Sequence, residues 1–206
     1  FSEKFYKELI TRRGSGENGY VLEVASNDGT FLKPFIRDGY TVLGIDPAKN
    51  IAEMANKNGI PTEPVFFSND IAKDIVKKRG QASMIFARNV LAHVANLHDF
   101  TEGMHTALAD DGVLAVEVHY AKIILEGLHY DSIYHEHLCY FTLKSIEKLM
   151  GGHDFYVFDV IASPISGGAM IVYARKKRTE PSERVYAYRN QEKESKTNEF
   201  ASWQEF

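Results

Sequence analysis

The sequence predicts an α/β fold, a mostly parallel sheet of seven strands that ends in an antiparallel hairpin and carries helices on both faces. Three observations predict it. Between residues 20 and 120 short β-branched apolar runs alternate with helix-like segments, the rhythm of right-handed strand–helix–strand crossovers. Beyond residue 150 the alternation stops, and two strand-like runs, FYVFDVIA and GGAMIVYARKK, follow each other across the short turn SPISGG, close enough to pair antiparallel. A length of 206 residues is enough for one such domain with its own core, but not comfortably for two.

Taken in order, residues 2–13 read as an amphipathic helix with Phe5, Leu9 and Ile10 on one side, ending at the loop GSGENG of residues 14–19. YVLEVAS (20–26) is a buried strand, followed at once by the polar turn SNDG and a helix over TFLKPFIRDG (30–39). The pattern then repeats as strand YTVLGID (40–46), helix AKNIAEMANKNG (48–59), strand PTEPVFF (61–67), helix NDIAKDIVKKRG (69–80) and strand ASMIFARN (82–89). Helix NLHDFTEGMHTALADDG (96–112) and strand VLAVEVHY (113–120) complete it. Residues 121–141 are expected to be irregular, TLKSIEKLM (142–150) helical, and residues 183–206, with their alternating charges, a solvated helix. The expected organisation is an N-terminal helix in residues 1–18, the α/β domain in 19–178, and a helical tail in 179–206 that opens a further domain.

Composition narrows the partner. Twenty-four basic residues against twenty-eight acidic ones give a net charge of −4 with no basic block, which points to a small molecule rather than a nucleic acid. No apolar run approaches the roughly 20 residues that span a bilayer, and no secretory pattern is present, so a cytoplasmic location is expected. The single Cys139 excludes an internal disulfide framework or a cysteine-rich zinc site within this chain. The chain begins at Phe1 without a methionine and is expected to be part of a longer protein.

In a sheet of this kind a ligand sits beyond the carboxyl ends of the strands, where strand order reverses. The first turn after a strand therefore matters most, and here it is EVASNDG, Glu23 to Gly29. A dinucleotide fingerprint, Gly-x-Gly-x-x-Gly, is absent. Asp46 ends the second strand, where a carboxylate accepts hydrogen bonds from ribose hydroxyls; it also suits the cap of a helix that has Pro47 at its first position. Glu23 can equally be a solvated strand residue. A second unusual stretch is IYHEHLCY (133–140), because titratable side chains among apolar ones need partners. In an extended segment His135 and His137 point one way, and Tyr134 and Glu136 the other. That allows a His-x-His metal site completed by His129 or His119, although no third ligand stands at a diagnostic spacing. It also allows a loop whose polar residues merely satisfy one another. Asn89 and His93 have structural readings too, as a helix cap and a helix-end residue.

The turn from Glu23 to Gly29 resembles the acidic-x-Gly-x-Gly-x-Gly loop of class I S-adenosylmethionine (SAM)-dependent methyltransferases, with Ala25 and Asn27 in place of two glycines. With no pyrophosphate to approach, fewer of its positions are expected to need a positive φ. More of the chain carries a second resemblance. VLEVASNDGTFL, GIDPAKNIAEMANKNGIPTEPVFF, ARNVLAHVANLHDF, DSIYHEHLCYFTLKSIEKL and VFDVIASPISGGAMIVYA together resemble the nucleotide-sugar C-methyltransferase family from Tyr20 to Ala174. The Tyr-His-Glu-His motif is the most specific element.

The resemblance implies a Rossmann-like class I methyltransferase fold and SAM as cofactor, held by Glu23, Ala25, Ser26, Asn27, Gly29, Asp46, Pro47 and Asn89. It implies a nucleotide-activated deoxysugar as substrate, methylated on a carbon beside its ketone, with no resident metal. His137 would be the base, with Tyr134, Glu136, Asn89 and His93 around the sugar. These residue types suit the reaction, because a histidine titrating near pH 6.5 can take an α-proton and nearby donors can hold the enolate oxygen. Full-length members are expected to add a cysteine-rich zinc module before this core and a nucleotide-binding domain after it. Two positions depart from the family pattern, His119 where proline is expected and Ser166 where histidine is expected, and both bear on the sugar rather than the cofactor. Two other readings remain open, a SAM-dependent O- or N-methyltransferase, which needs a base but no enolate stabilisation, and a non-catalytic SAM-binding module, which needs neither.

Overall fold

The computed structural model describes residues 1–14 and 19–206; most of the expected loop GSGENG lies outside the described residues, as does the side chain of Ser166. Among the described residues seven strands form one sheet: β1 (Val21–Val24), β2 (Val42–Ile45), β3 (Thr62–Glu63), β4 (Ala82–Arg88), β5 (Leu108–His119), β6 (Tyr156–Ser163) and β7 (Ala169–Arg175). Their order is β3-β2-β1-β4-β5-β7-β6, parallel except for β7, which runs antiparallel to both neighbours. The first four pairings are parallel, as the alternating pattern requires.

Helices cover both faces. On one lie α1 (Ser2–Arg13), α2 (Lys33–Arg37) and α3 (Lys49–Lys57), where Phe5, Leu9, Phe35 and Ala55 pack on Phe86, Ala115 and Tyr173. On the other lie α4 (Asn69–Arg79) and α5 (Leu97–Ala107), followed by α6 (Ala121–Gly127), α7 (Leu143–Gly151) and α8 (Glu183–Glu194). There Ile75, Met104, Ile146 and Val185 pack on Leu22, Ile85, Leu114 and Val116. A short α9 (Phe200–Gln204) ends the chain. Because the central strands are buried on both faces, they read as continuous apolar runs rather than alternating ones.

The structure departs from the sequence expectations at definable places. β3 is two residues long because Pro64 cannot donate to the ladder, leaving Phe66 at 80 % exposure. α5 stops at Ala107 rather than running to residue 112, since Leu108 is buried and pairs with Ala82 at the start of β5. The expected irregular stretch opens with a full helix, α6, whose Ala121 and Ile124 are buried. The tail is also less solvated than its charges suggest: α8 buries Val185 and Glu192, and the Glu192 carboxylate accepts from the backbone N–H groups of Leu143 (2.5 Å) and Lys144 (3.2 Å) at the start of α7.

Candidate active site

β2 and β3 lie to one side of β1, and β4 and β5 to the other, so strand order reverses between β1 and β4 and a crevice opens beyond their carboxyl ends. Three cavities occupy it. One of about 490 Å³ is lined by Glu23, Ala25, Asn27, Asp46, Arg88 and Asn89, with Ser26 beside them. A second, about 380 Å³, is apolar and lined by Ile45, Pro47, Phe66, Phe67 and Phe100. The third, about 350 Å³, is lined by Asn89, His93, His119, Asp131, Tyr134 and His137. His93 borders all three and Asn89 borders the first and third, so the cavities adjoin through shared walls.

The first turn corrects the expectation about its backbone. Ala25 has φ 59°, Asn27 φ 51° and Gly29 φ 74°, so all three alternate positions are left-handed whether or not they are glycine. Asparagine tolerates that region better than most residues, alanine poorly. At Gly29 a glycine is obligatory twice over, since a Cβ would lie 2.6 Å from Ile60 Cγ2. Asp46 holds the turn, accepting the Asn27 N–H at 2.9 Å on one oxygen and the Ala48 N–H at 3.0 Å on the other. The expected cap is not realised, since α3 begins at Lys49 with Ala48 at its N-cap and Pro47 before it, but each Asp46 oxygen retains a lone pair, so holding the turn and accepting ribose hydroxyls are compatible roles.

Glu23 lies within β1 at 2 % exposure, and its Oε2 has no hydrogen-bond partner. Burial pushes its carboxyl well above the usual range, opposed by the nearby Arg88 guanidinium. Arg88, at the end of β4, bridges to Glu117 of β5 at 2.6 Å, and Glu117 also accepts from Ser163 Oγ at 2.5 Å. The Arg88 guanidinium carbon stands 3.3 Å from the centroid of the Phe31 ring. The sequence reading missed Arg88 and Glu117. Their signal was available, since each is a lone charge inside an apolar strand, FARN and AVEV, and such a charge needs a partner.

The histidine motif is a turn, not an extended segment. The His137 N–H donates to Tyr134 O at 3.0 Å, which brings the first and fourth residues of the turn to the same side and overturns the expected alternation. Tyr134 Oη lies 2.9 Å from His137 Nε2, and His137 Nδ1 lies 3.2 Å from Ser132 O. A carbonyl only accepts, so Nδ1 carries a proton, and in the neutral form of the ring the Nε2 lone pair faces the Tyr134 hydroxyl. His93 is fixed in the same tautomer, donating from Nδ1 to the backbone carbonyl of Glu136 at 2.8 Å, with its ring centroid 4.9 Å from that of His137. His135 and Glu136 occupy the middle of the turn, exposed, and neither side chain lines the three cavities. Glu136 thus contributes a backbone oxygen rather than its carboxylate. The Leu138 N–H donates to Ala92 O at 2.7 Å, tying the motif to the segment after β4. Asn89, at φ 50°, donates its N–H to Glu117 O at 2.9 Å. His119 sits with its ring centroid 6.3 Å from that of His137. Among the described residues, no three His, Cys, Asp or Glu side chains are grouped to hold a metal ion, and no helix is long and apolar enough to cross a membrane.

The residues present fit SAM. An acceptor carboxylate ends β2, an apolar cavity adjoins it, and a buried carboxylate oxygen without a partner stands where a cationic group can be met. Fold and site together define a class I SAM-dependent methyltransferase domain, with SAM as its cofactor. The chain belongs to the methyltransferase domain family, whose model matches residues 1–160. It is 35 % identical over 165 residues to C-methyltransferase NovU of Streptomyces niveus, an alignment covering 80 % of this chain and 39 % of that protein. Among solved structures, magnesium protoporphyrin IX methyltransferase of Synechocystis PCC 6803 with bound S-adenosylhomocysteine (SAH) superposes with a TM-score of 0.64 at 13 % identity, covering 85 % of this chain and 81 % of that one. A SAM-dependent methyltransferase of Thermotoga maritima, a possible histamine N-methyltransferase, superposes with a TM-score of 0.62 at 17 % identity, covering 85 % and 87 %. At such identities the likeness concerns the fold.

Proposed function

We propose that this domain methylates a carbon next to the ketone of a nucleotide-activated deoxysugar, with His137 as the base that generates the enolate. The observation that carries the reading is the Tyr134–His137 pair, 2.9 Å between Oη and Nε2, in a cavity that Asn89 and His93 join to the cofactor cavity. The name of NovU supports carbon as the methylated atom. Bound SAM supplies a sulfonium methyl group as the electrophile. His137 takes the α-proton on Nε2 as the C–H electron pair moves into the enolate, while Ser132 O holds Nδ1–H and keeps the ring in the right tautomer. The Tyr134 hydroxyl, displaced from Nε2 by the arriving proton, is free to donate to the enolate oxygen, and the Asn89 amide is a second donor from the shared wall. Because His93 carries its proton on Nδ1, its Nε2 donates to the enolate only in the imidazolium form.

Proton exchange tests this apart from methyl transfer. With SAH and a TDP-keto-deoxysugar in D₂O, the α-hydrogen should exchange in the presence of wild type and of His135→Asn, and His137→Asn should slow exchange by about 100-fold or more while binding SAH as wild type does. An O- or N-methyltransferase has no reason to exchange that hydrogen. No exchange by wild type, or equal losses in both variants, would overturn the reading.

A further inference from the structure

We propose that Tyr140 is a positioning residue for the base: it shares the Ser132 carbonyl with His137, so that this imidazole, rather than that of His93, is the one left free to take a proton. The proposal deepens the reading of His137 as the base and rests on it. Two of the histidines that line the cavity, His93 and His137, have Nδ1 against a backbone carbonyl. His93 Nδ1 lies 2.8 Å from Glu136 O, which accepts from no other donor among the described residues. His137 Nδ1 lies 3.2 Å from Ser132 O, and the Tyr140 hydroxyl donates to the same oxygen at 3.3 Å. Both of the latter distances are long for their kind, since about 2.9 Å is usual for N–H···O and about 2.8 Å for O–H···O. That is the mark of one oxygen divided between two donors.

The shared carbonyl is held in place. Ser132 ends a short 3₁₀ turn, Tyr130–Ser132, and the Ile133 N–H of the same peptide group donates to Tyr130 O at 3.0 Å, which fixes the plane of the Ser132 carbonyl. Tyr140 is half-buried, its ring edge-on to His137 with centroids 5.7 Å apart, and it lines none of the three cavities. It therefore acts through Ser132 O and not on the substrate. An imidazolium holds a carbonyl more tightly than a neutral ring does, because a charged donor makes the stronger bond. A second donor on that oxygen draws on the same lone pairs, so the charged form of His137 loses more than the neutral form. Other groups face His137: Tyr134 from the same turn, His93 from the segment after β4, His119 from the end of β5, and Asp131, which shares the cavity lining. His135 and Glu136 lie exposed within the turn. All of them remain in Tyr140→Phe, which removes one hydroxyl and keeps the ring. The competing account is that this hydroxyl only fastens the turn.

Two measurements separate the accounts. In α-hydrogen exchange with SAH and a TDP-keto-deoxysugar in D₂O, followed from about pH 5 to about pH 8, the acid limb of Tyr140→Phe should move up by roughly 0.5–1 pH units. Its plateau should rise by no more than about threefold, as a more basic imidazole takes the α-proton more readily. A nitrogen-15 NMR titration of the histidines in the SAH complex should show the same upward shift at His137, whose signals are identified by their loss in His137→Asn. SAH affinity should match that of wild type. A limb and a titration that stay in place or move down would overturn the proposal. So would a lower plateau or lost SAH binding in Tyr140→Phe, either of which marks a purely structural tyrosine. The titration needs no sugar, so a wild type that exchanges no hydrogen sinks the reading of His137 as the base, while the shift at His137 still decides whether Tyr140 governs this imidazole.

Discussion

Ala25 holds φ at 59° on the lip of the cofactor cavity, where its Cβ crowds the backbone and a glycine would not. Left-handed backbone costs a residue with a Cβ roughly 1–2 kcal/mol, and the looser unfolded chain of a glycine returns roughly 0.4–1 kcal/mol of that. Ala25→Gly should therefore stabilise the domain by about 0.5–1 kcal/mol, seen as a higher urea midpoint, with SAH affinity unchanged because the turn is already in place. A lower midpoint would mean that the alanine methyl makes packing contacts worth more than the strain. At this scale the sequence is legible where spacing alone sets geometry. Glu23, Asp46 and Gly29 follow from their positions in one turn and at one strand end, and the structure lines a single cavity with Glu23 and Asp46. It is illegible where partners come from elsewhere in the chain. Arg88 meets Glu117 only because β4 and β5 are adjacent and in that register. Tyr134 meets His137 only because a polar run that could be extended is instead a turn, and that choice depends on Leu138 bonding to Ala92.

Among the elements, the strands were the most legible part of the chain, since short β-branched runs buried on both faces have few alternatives. Their ends were less so, and local chemistry decided them: Pro64 ended β3, and Leu108 was recruited to β5 ahead of the exposed Asp110 and Asp111, where the register with β4 shifts. The docking of the terminal helices was not legible at all, because one side chain does much of it. Asp159 in β6 accepts from Arg12 Nε of α1 at 2.8 Å, Arg184 Nε of α8 at 2.9 Å and Ser182 Oγ at 2.6 Å. Burial on its own would raise this carboxyl, but Arg184, Ser182 and Arg12 outweigh it and hold the pKa at about 2 against an ordinary 3.8. The sign follows directly. A depressed carboxyl contributes its full stability above the unfolded pKa and loses it as pH falls through the folded one, so the ties of α1 and α8 to β6 weaken between about pH 4 and about pH 2. Asp159→Asn should cost about 1–3 kcal/mol at neutral pH, and its urea midpoint should fall less steeply than that of wild type over the acid window. Parallel acid profiles for the two proteins would show that other carboxylates carry the acid response.

As a whole molecule the chain contains a complete sheet with a hydrophobic core on each face, and the entire cofactor crevice is built from its own strand ends. The cavity beside it is built differently. The cavity at His137 is lined by Asn89, His93, His119, Asp131, Tyr134 and apolar residues, with no lysine or arginine among its described lining. A diphosphate is recognised by positive charge or by helix N-termini, and the one arginine in the neighbouring cavity is paired with Glu117. Asp131 adds charge of the wrong sign. In the proposed reaction a keto-sugar would therefore meet groups suited to it, while a nucleotide would meet no cation among the described lining residues of this cavity. Binding energy from such a remote part of a substrate normally contributes to positioning the reacting carbon, and it shows in kcat as well as in KM. In the proposed reaction, this 206-residue chain should then convert a TDP-keto-deoxysugar and the same sugar without its nucleotide with kcat/KM values within about threefold of each other, both low. NovU aligns over only 39 % of its length, and if the polypeptide beyond that shared region supplies the nucleotide site, adding it should raise kcat/KM for the TDP-sugar alone. Steady-state methyl transfer with the two substrates decides the matter: a preference of the chain for the TDP-sugar of about thirtyfold, roughly 2 kcal/mol, would place a diphosphate-binding surface within these residues.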